Sequence, residues 1–153
     1  MEALLRHTLA TLAYRLGKVL RDTPETFATY PEAETQCAGK ILAHVGDLMD
    51  WALSMVNGKA AWQDATPLAW PDEIARFYQA IGALDARLAE IGAGASTPEK
   101  LFQGPIADAL THTGQLAMLR RQAGIKMKGE NYYVADVAAG RVGPEQTPPR
   151  REF

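Results

Sequence analysis

Apolar residues recur every three or four positions through four long segments of this chain, and no stretch shows a convincing two-residue strand alternation. That rhythm predicts helices. In the first segment, about residues 2–21, Leu5, Leu9, Leu12, Leu16 and Val19 form a narrow apolar seam. The run Asp22-Thr23-Pro24 ends it, because proline disfavours helical geometry in the residue before it. The second helix is predicted over about 33–57, with Ile41, Val45, Leu48, Ala52 and Met55 on one face and Gly58 as its C-terminal cap. The third opens at Pro71, where proline suits the first helical position, and Asp72 and Glu73 favour the positive end of the helix dipole. Its core face is Ile74, Phe77, Ile81, Leu84, Leu88 and Ile91. The fourth is predicted from near Pro105 to about Gln122, with Gly124 behind it as a stop.

Four such helices predict an all-α four-helix bundle over residues 1–124. Residues 125–153 are predicted to belong to the same domain as one short helix at 131–138 and a proline-rich polar tail. That tail is expected to be mobile, or to pack across the bundle or against a neighbouring subunit. The first two connections run to about ten residues or more, longer than tight antiparallel neighbours need. They point either to a non-sequential helix order or to a cover over a pocket.

A chain of 153 residues suits one hydrophobic core. The net charge of -2, with no lysine and arginine stripe, argues against nucleic acid as a partner. No apolar run is long enough for a bilayer. The N-terminal stretch is interrupted by Arg6, Arg15 and Lys18 and reads as a helix, not as a signal peptide. A single cysteine fits a reducing compartment, so a cytoplasmic protein is expected. The sequence LFQGP at 101–105 matches a viral protease recognition site, yet it runs straight into a helical pattern and is read as native.

The chemistry concentrates in two places. Asp108 and His112 are four residues apart, hence on one helical face about 6 Å apart along the axis. Gln115 lies beside them one turn on. On the second helix, His44 sits between the apolar positions Ile41 and Leu48, near Trp51 and Met55, with Asp47 displaced toward the polar side. If those helices are neighbours, two imidazole nitrogens and a carboxylate oxygen converge. Such a set holds zinc with an open position for water, or iron(II) on one octahedral face. Gln115 or Asp47 would orient a ligand or the water. The plainer readings are an acid stabilising the first turn of its helix, and a histidine at the core edge satisfied by Asp47.

ILAHVGDLMDWA (41–52) and DALTHTGQLAMLRRQAG (108–124) together resemble the DinB-like (damage-inducible, YfiT-like) superfamily of four-helix bundles. The resemblance covers residues 1 to about 124 in helix order. It matches His44 to that family's second-helix histidine and His112 to the second of two histidines on its last bundle helix, with Gly114, Gln115, Leu119 and Arg120 following in register. The first of those two histidines falls on Asp108, a departure that makes the set harder and more negative. The resemblance implies a divalent metal (zinc, nickel or iron) held by His44, Asp108 and His112, and commonly a homodimer. It also implies a thiol-dependent transferase or isomerase acting on a small molecule with a low-molecular-weight thiol. Hydrolysis is the other reaction such a site suggests. The rival expectation is a non-catalytic dimeric binding or stress-response module with a relict or structural site.

Several residues are read as bystanders. Cys37 lies about 10 Å of helical rise from His44, too far to share its ion, and is taken as a small buried thiol or a residue flanking the pocket mouth. His7 lacks an acidic or histidine partner and is placed at the surface or core edge. Trp51, Trp62 and Trp70 are read as core or loop anchors, with Trp51 also placed to wall the pocket beside His44. The Asn131-Tyr132-Tyr133 stretch is either a docking point for the tail or a pocket lid. No glycine-rich phosphate loop, nucleophile elbow or Ser/His/Asp order appears.

Overall fold

The seam of the first segment is buried throughout: Leu5, Leu9, Leu12, Leu16 and Val19 all lie inside the structure. They form the inner face of α1 (Glu2–Leu20). The structure, a computed structural model, describes residues 1–32 and 36–153. It continues with α2 (Ala38–Val56), α3 (Trp70–Ile91), a short α4 (Pro98–Leu101) and α5 (Ala107–Gln122). Short 3-10 turns at Glu25–Thr29 and Tyr132–Val134 complete it, and the described residues contain no strand beyond one isolated bridge between Glu130 and Glu152. The fold is an all-α bundle, as the periodicity predicts. The expected start of the second helix near Ala33 falls on residues 33–35, outside the described ones; α2 is helical from Ala38.

The helices do not follow chain order around the bundle. Both α1 and α2 pack against α3 and α5, which leaves α1 and α2 on a diagonal. The side-chain pairs give the directions. Arg6 of α1 meets Asp85 late in α3, so those two helices are antiparallel. Arg76 meets Ala43 and Asp47 while Arg87 meets Asn57, so α2 and α3 run parallel. Arg120 near the end of α5 donates to the Lys18 and Val19 carbonyls at the end of α1, making that pair parallel as well. Both expectations for the long connections are therefore met. The order is non-sequential, and the second connection runs back along α2 and covers part of a cleft.

Two close approaches rest on glycine. A Cβ at Gly17 would stand 2.8 Å from the Tyr78 hydroxyl, so glycine lets α1 lie close against α3. At Gly46 a Cβ would meet the Arg76 guanidinium at 3.0 Å, so its absence lets that group lie across α2.

The fourth helical path starts earlier than predicted. Thr97 accepts from the Lys100 N–H as an N-cap and Pro98 opens α4. The path then passes through a π-helical segment, Phe102–Ile106, before α5. Pro105 has no N–H to donate and would clash with the carbonyl one turn back in a regular helix; the wider turn accommodates it. Proline read as a helix start is thus a proline inside a helix. Leu101 and Ile106 are fully buried and Pro105 is buried, while Phe102 and Gln103 face solvent, so LFQGP is anchored in the fold at its two ends. Three apolar positions escape full burial: Ile91 is exposed at the last turn of α3, and Met55 and Ile74 are only half-buried.

The C-terminal segment is docked on α1, not loose. Glu130 is buried, accepting from the Tyr14 hydroxyl at 2.6 Å and from Lys18 Nζ at 2.7 Å, and Lys18 reaches Glu152 at 2.9 Å. Tyr132 packs edge-on against Tyr14 with the Arg15 guanidinium over its ring, whereas Tyr133 points to solvent. Of the two readings for this stretch, docking is the one observed. The predicted helix at 131–138 shrinks to a single 3-10 turn, Tyr132–Val134. Arg120 adds a clamp, its guanidinium donating to the carbonyls of Lys18, Val19, Arg21 and Lys126. It thereby neutralises the negative end of α1 with a buried cation.

Burial and the bond to Glu130 push the Tyr14 hydroxyl pKa up, and bonds to Glu130 and Glu152 outweigh burial to raise that of Lys18. Groups raised on folding stabilise below their unfolded pKa, here about 10, and the stabilisation is lost as pH climbs past it. Glu130→Ala is therefore expected to lower unfolding free energy by about 3 kcal/mol at neutral pH, because it strands a buried ammonium with one partially exposed partner. It should also flatten the loss of stability above about pH 10. Urea unfolding of both proteins across that range measures both effects; a neutral-pH loss below about 1 kcal/mol contradicts the assignment.

Candidate metal centre

His44 projects from the second turn of α2, between the buried residues Ile41 and Leu48 on either side in the chain, and is half-buried. Across the antiparallel groove, α5 presents Asp108 and His112 one turn apart. The three side chains meet. One potential ligand atom from each lies within 4.8 Å of the others. His44 Nε2 stands 3.6 Å from one Asp108 oxygen and His112 Nε2 stands 3.5 Å from the other. The imidazole rings are perpendicular, with centroids 4.9 Å apart.

The two contacts run to different oxygens of one carboxylate, and with one atom from each residue the set lies within 4.8 Å, which small side-chain rotations bring to the spacing around a cation. Donors about 2.1 Å from a common ion stand about 3.0 Å apart at right angles and about 3.4 Å apart at a tetrahedral angle. The two contacts are also longer than good hydrogen bonds, so the carboxylate is not satisfied by its neighbours. A His44-Asp108-His112 group of this shape can hold a metal ion. Exposure falls from 48% at Asp108 through 36% at His44 to 19% at His112, so one side of the set is open to solvent.

Asp108 does not stand at a free helix start. By Ala107 the helical bonding is established, with that residue's N–H taken by the Phe102 carbonyl across the π-turn. The first-turn explanation for the acid therefore weakens. The carboxylate sits where the π-turn hands over to α5, a place where helices often re-aim functional side chains.

No family model, curated protein or solved structure matches the chain. What its site can do rests on its own geometry.

Gln115 lies beside His112. Its side-chain oxygen lies 2.7 Å from His112 Nδ1, and an amide oxygen can only accept, so Nδ1 carries the proton. That leaves the Nε2 lone pair facing Asp108 and the centre. A cleft of about 690 Å³ opens from the two histidines along the α2–α5 groove, walled by Ile41, Met118, Leu119 and Pro67, with Lys40 and Gln115 at its edge.

Two expected neighbours are placed differently. Asp47 lines the cleft but does not hold a histidine: it is buried, bonded to the Arg76 guanidinium and accepting from the Ala65 N–H at 3.1 Å. Arg76 also reaches Asp50 and the fully buried Glu73, drawing α2, α3 and the returning connection into one polar cluster. Trp51 is not beside His44. That position belongs to Trp62, whose ring centroid lies 5.4 Å from the His44 imidazole, and Trp51 braces Trp62 from behind at 5.7 Å. Trp62 lies on a connection with no periodic pattern, so helical spacing gave no signal for it; the indole's bond to Asp64 two residues on is its one local cue. Cys37 is half-buried just before α2 and His7 is exposed, and neither joins the set.

The returning connection, residues 57–69, is held by its backbone. Ser54 accepts from the Ala61 N–H, Asp47 from Ala65 and Glu73 from Leu68. Asp47→Ala strands the Ala65 N–H and one bond of Arg76, and is expected to lower stability by about 2 kcal/mol. The variant should also be cleaved faster within 57–69 under limited proteolysis. Unchanged cleavage there would show that Asp47 does not anchor this segment.

Proposed function

We propose that this protein is a divalent-metal-dependent enzyme of DinB-like type, acting on a small molecule by thiol transfer or hydrolysis. The observation that carries the reading is the convergence of His44, Asp108 and His112 from two helices at the mouth of a cleft. The residue pattern of 41–52 and 108–124 supports it, since the resemblance places ligands on the same three positions. Zinc, nickel and iron all accept two imidazoles and one carboxylate.

A divalent ion in this position supplies Lewis acidity and lowers the pKa of a water or thiol on its open side. The chain's own residues then divide the work. His44, His112 and Asp108 would hold the ion and leave the solvent side free. Gln115 fixes the tautomer that directs Nε2 inward. Ile41, Met118 and Leu119 offer an apolar wall to the body of a substrate. A structural site would close the coordination shell with protein groups; three donors with an open face favour catalysis. The low-molecular-weight thiol and the homodimer enter on the resemblance.

Protein purified without a histidine tag is expected to take up one equivalent of metal, read by elemental analysis, and His112→Ala to lose it. No stoichiometric uptake after reconstitution overturns the reading. If wild type binds metal but turns over no thiol and electrophile pair and no hydrolysable ester, and His112→Ala only lowers the melting temperature, the protein is a binding module instead. Gln115→Ala should weaken metal affinity about 10- to 100-fold with helix content unchanged, measured by competition against a chromogenic chelator.

A further inference from the structure

The two histidines of the triad are held differently. His112 has its Nδ1 fixed by Gln115 at 2.7 Å. His44 makes no hydrogen bond to any of the described residues, and the Asp108 carboxylate, 3.6 Å from its Nε2, belongs to the site itself. A metal-ligating histidine almost always has its second ring nitrogen tied to a carbonyl or carboxylate, which sets both tautomer and ring angle. An imidazole without that tie, a third exposed on a helix surface, would sample more than one rotamer.

What restrains His44 is packing. Trp62 lies against one side of the ring at 5.4 Å with the planes at 62°, and the His112 ring lies at 4.9 Å with the planes at 87°. Trp62 is itself fixed on two sides. Trp51 meets it perpendicularly at 5.7 Å, and its indole N–H donates to Asp64 at 3.0 Å. The segment that carries it is pinned at Ser54, Asp47 and Glu73. A tryptophan in a long connection, 41% exposed yet bonded at its nitrogen and packed on two rings, is oriented for a purpose beyond covering the core.

We infer that Trp62 is a positioning residue for His44, doing by ring packing what Gln115 does for His112 by hydrogen bonding. The inference rests on reading the triad as metal ligands. Through Asp47 and Arg76 the returning connection then becomes part of the centre: α2 supplies the ligand and the segment leaving α2 sets its angle. Loss of the indole frees the ring and costs ordering entropy when the ligand is fixed on a metal. Affinity for metal falls although no ligand is removed.

The test compares wild type, Trp62→Ala and Trp62→Phe by two readouts. In the metal-free protein, the His44 ring protons in aromatic NMR spectra carry a ring-current shift from Trp62. Trp62→Ala is expected to abolish that shift and, as the sign that the ring has turned, to weaken the NOEs between the His44 and His112 rings, which pack 4.9 Å apart. In titrations with Zn²⁺, Trp62→Ala should bind about tenfold more weakly, while Trp62→Phe, which keeps an aromatic face, stays within about threefold of wild type. Metal-free melting temperatures should differ little among the three. Unchanged NOEs between the His44 and His112 rings in Trp62→Ala, or Zn²⁺ affinity equal to wild type, overturns the positioning role. Wild type that takes up no Zn²⁺ overturns the metal reading instead, and the NMR comparison still decides whether Trp62 orients His44.

Discussion

Two parallel helices cannot be joined by a tight turn. Because α2 and α3 run the same way, the chain must travel back the length of α2 before α3 can begin, and the returning backbone must have its polar groups satisfied on a helix surface. Ser54, Asp47 and Glu73 meet that need, and Arg76 binds the two acids to each other across the interface. Everything at the candidate centre follows from this constraint. The helix order it permits sets α2 beside α5, which brings His44 to Asp108 and His112. The segment it requires places Trp62 against His44.

The rest of the molecule leaves that face free. The C-terminal segment, which could have crossed the groove, is drawn to α1 by the buried Glu130 and its bonds to Tyr14 and Lys18. Arg120 ties the end of α5 to the end of α1 on the same side. Since α1 lies diagonally from α2, the docked tail and the cleft occupy different sides of the bundle. Buried ion pairs thus fix both sides of the fold, Glu130 with Lys18 under the docked tail and Arg76 with Asp47 and Glu73 beside the cleft, while the donors of the candidate centre stay open.

Helix periodicity was a sufficient guide wherever burial alone decided the structure. The α1 seam is complete, and the spacing of Asp108, His112 and Gln115 correctly puts them on one face toward His44. The pattern misled where a local rule was overridden by tertiary context. Pro105 looks like a helix start because proline usually is one, but a π-turn carries it inside. Asp47 looks like a partner for His44 because it lies one turn away, but a guanidinium from another helix claims it. Trp51 looked better placed than Trp62 because it has a helical register. Long-range polar pairs such as Lys18 with Glu130 are separated by more than a hundred residues and leave no mark in local sequence.

The proposed metal centre needs three donors on α2 and α5 to surround one cation. Anomalous diffraction at the zinc edge, from crystals of the protein with one equivalent of zinc, addresses it without recourse to activity. A single strong peak is expected about 2.1 Å from nitrogens of His44 and His112 and from an Asp108 oxygen. A peak at other residues, or none at this groove, would contradict it.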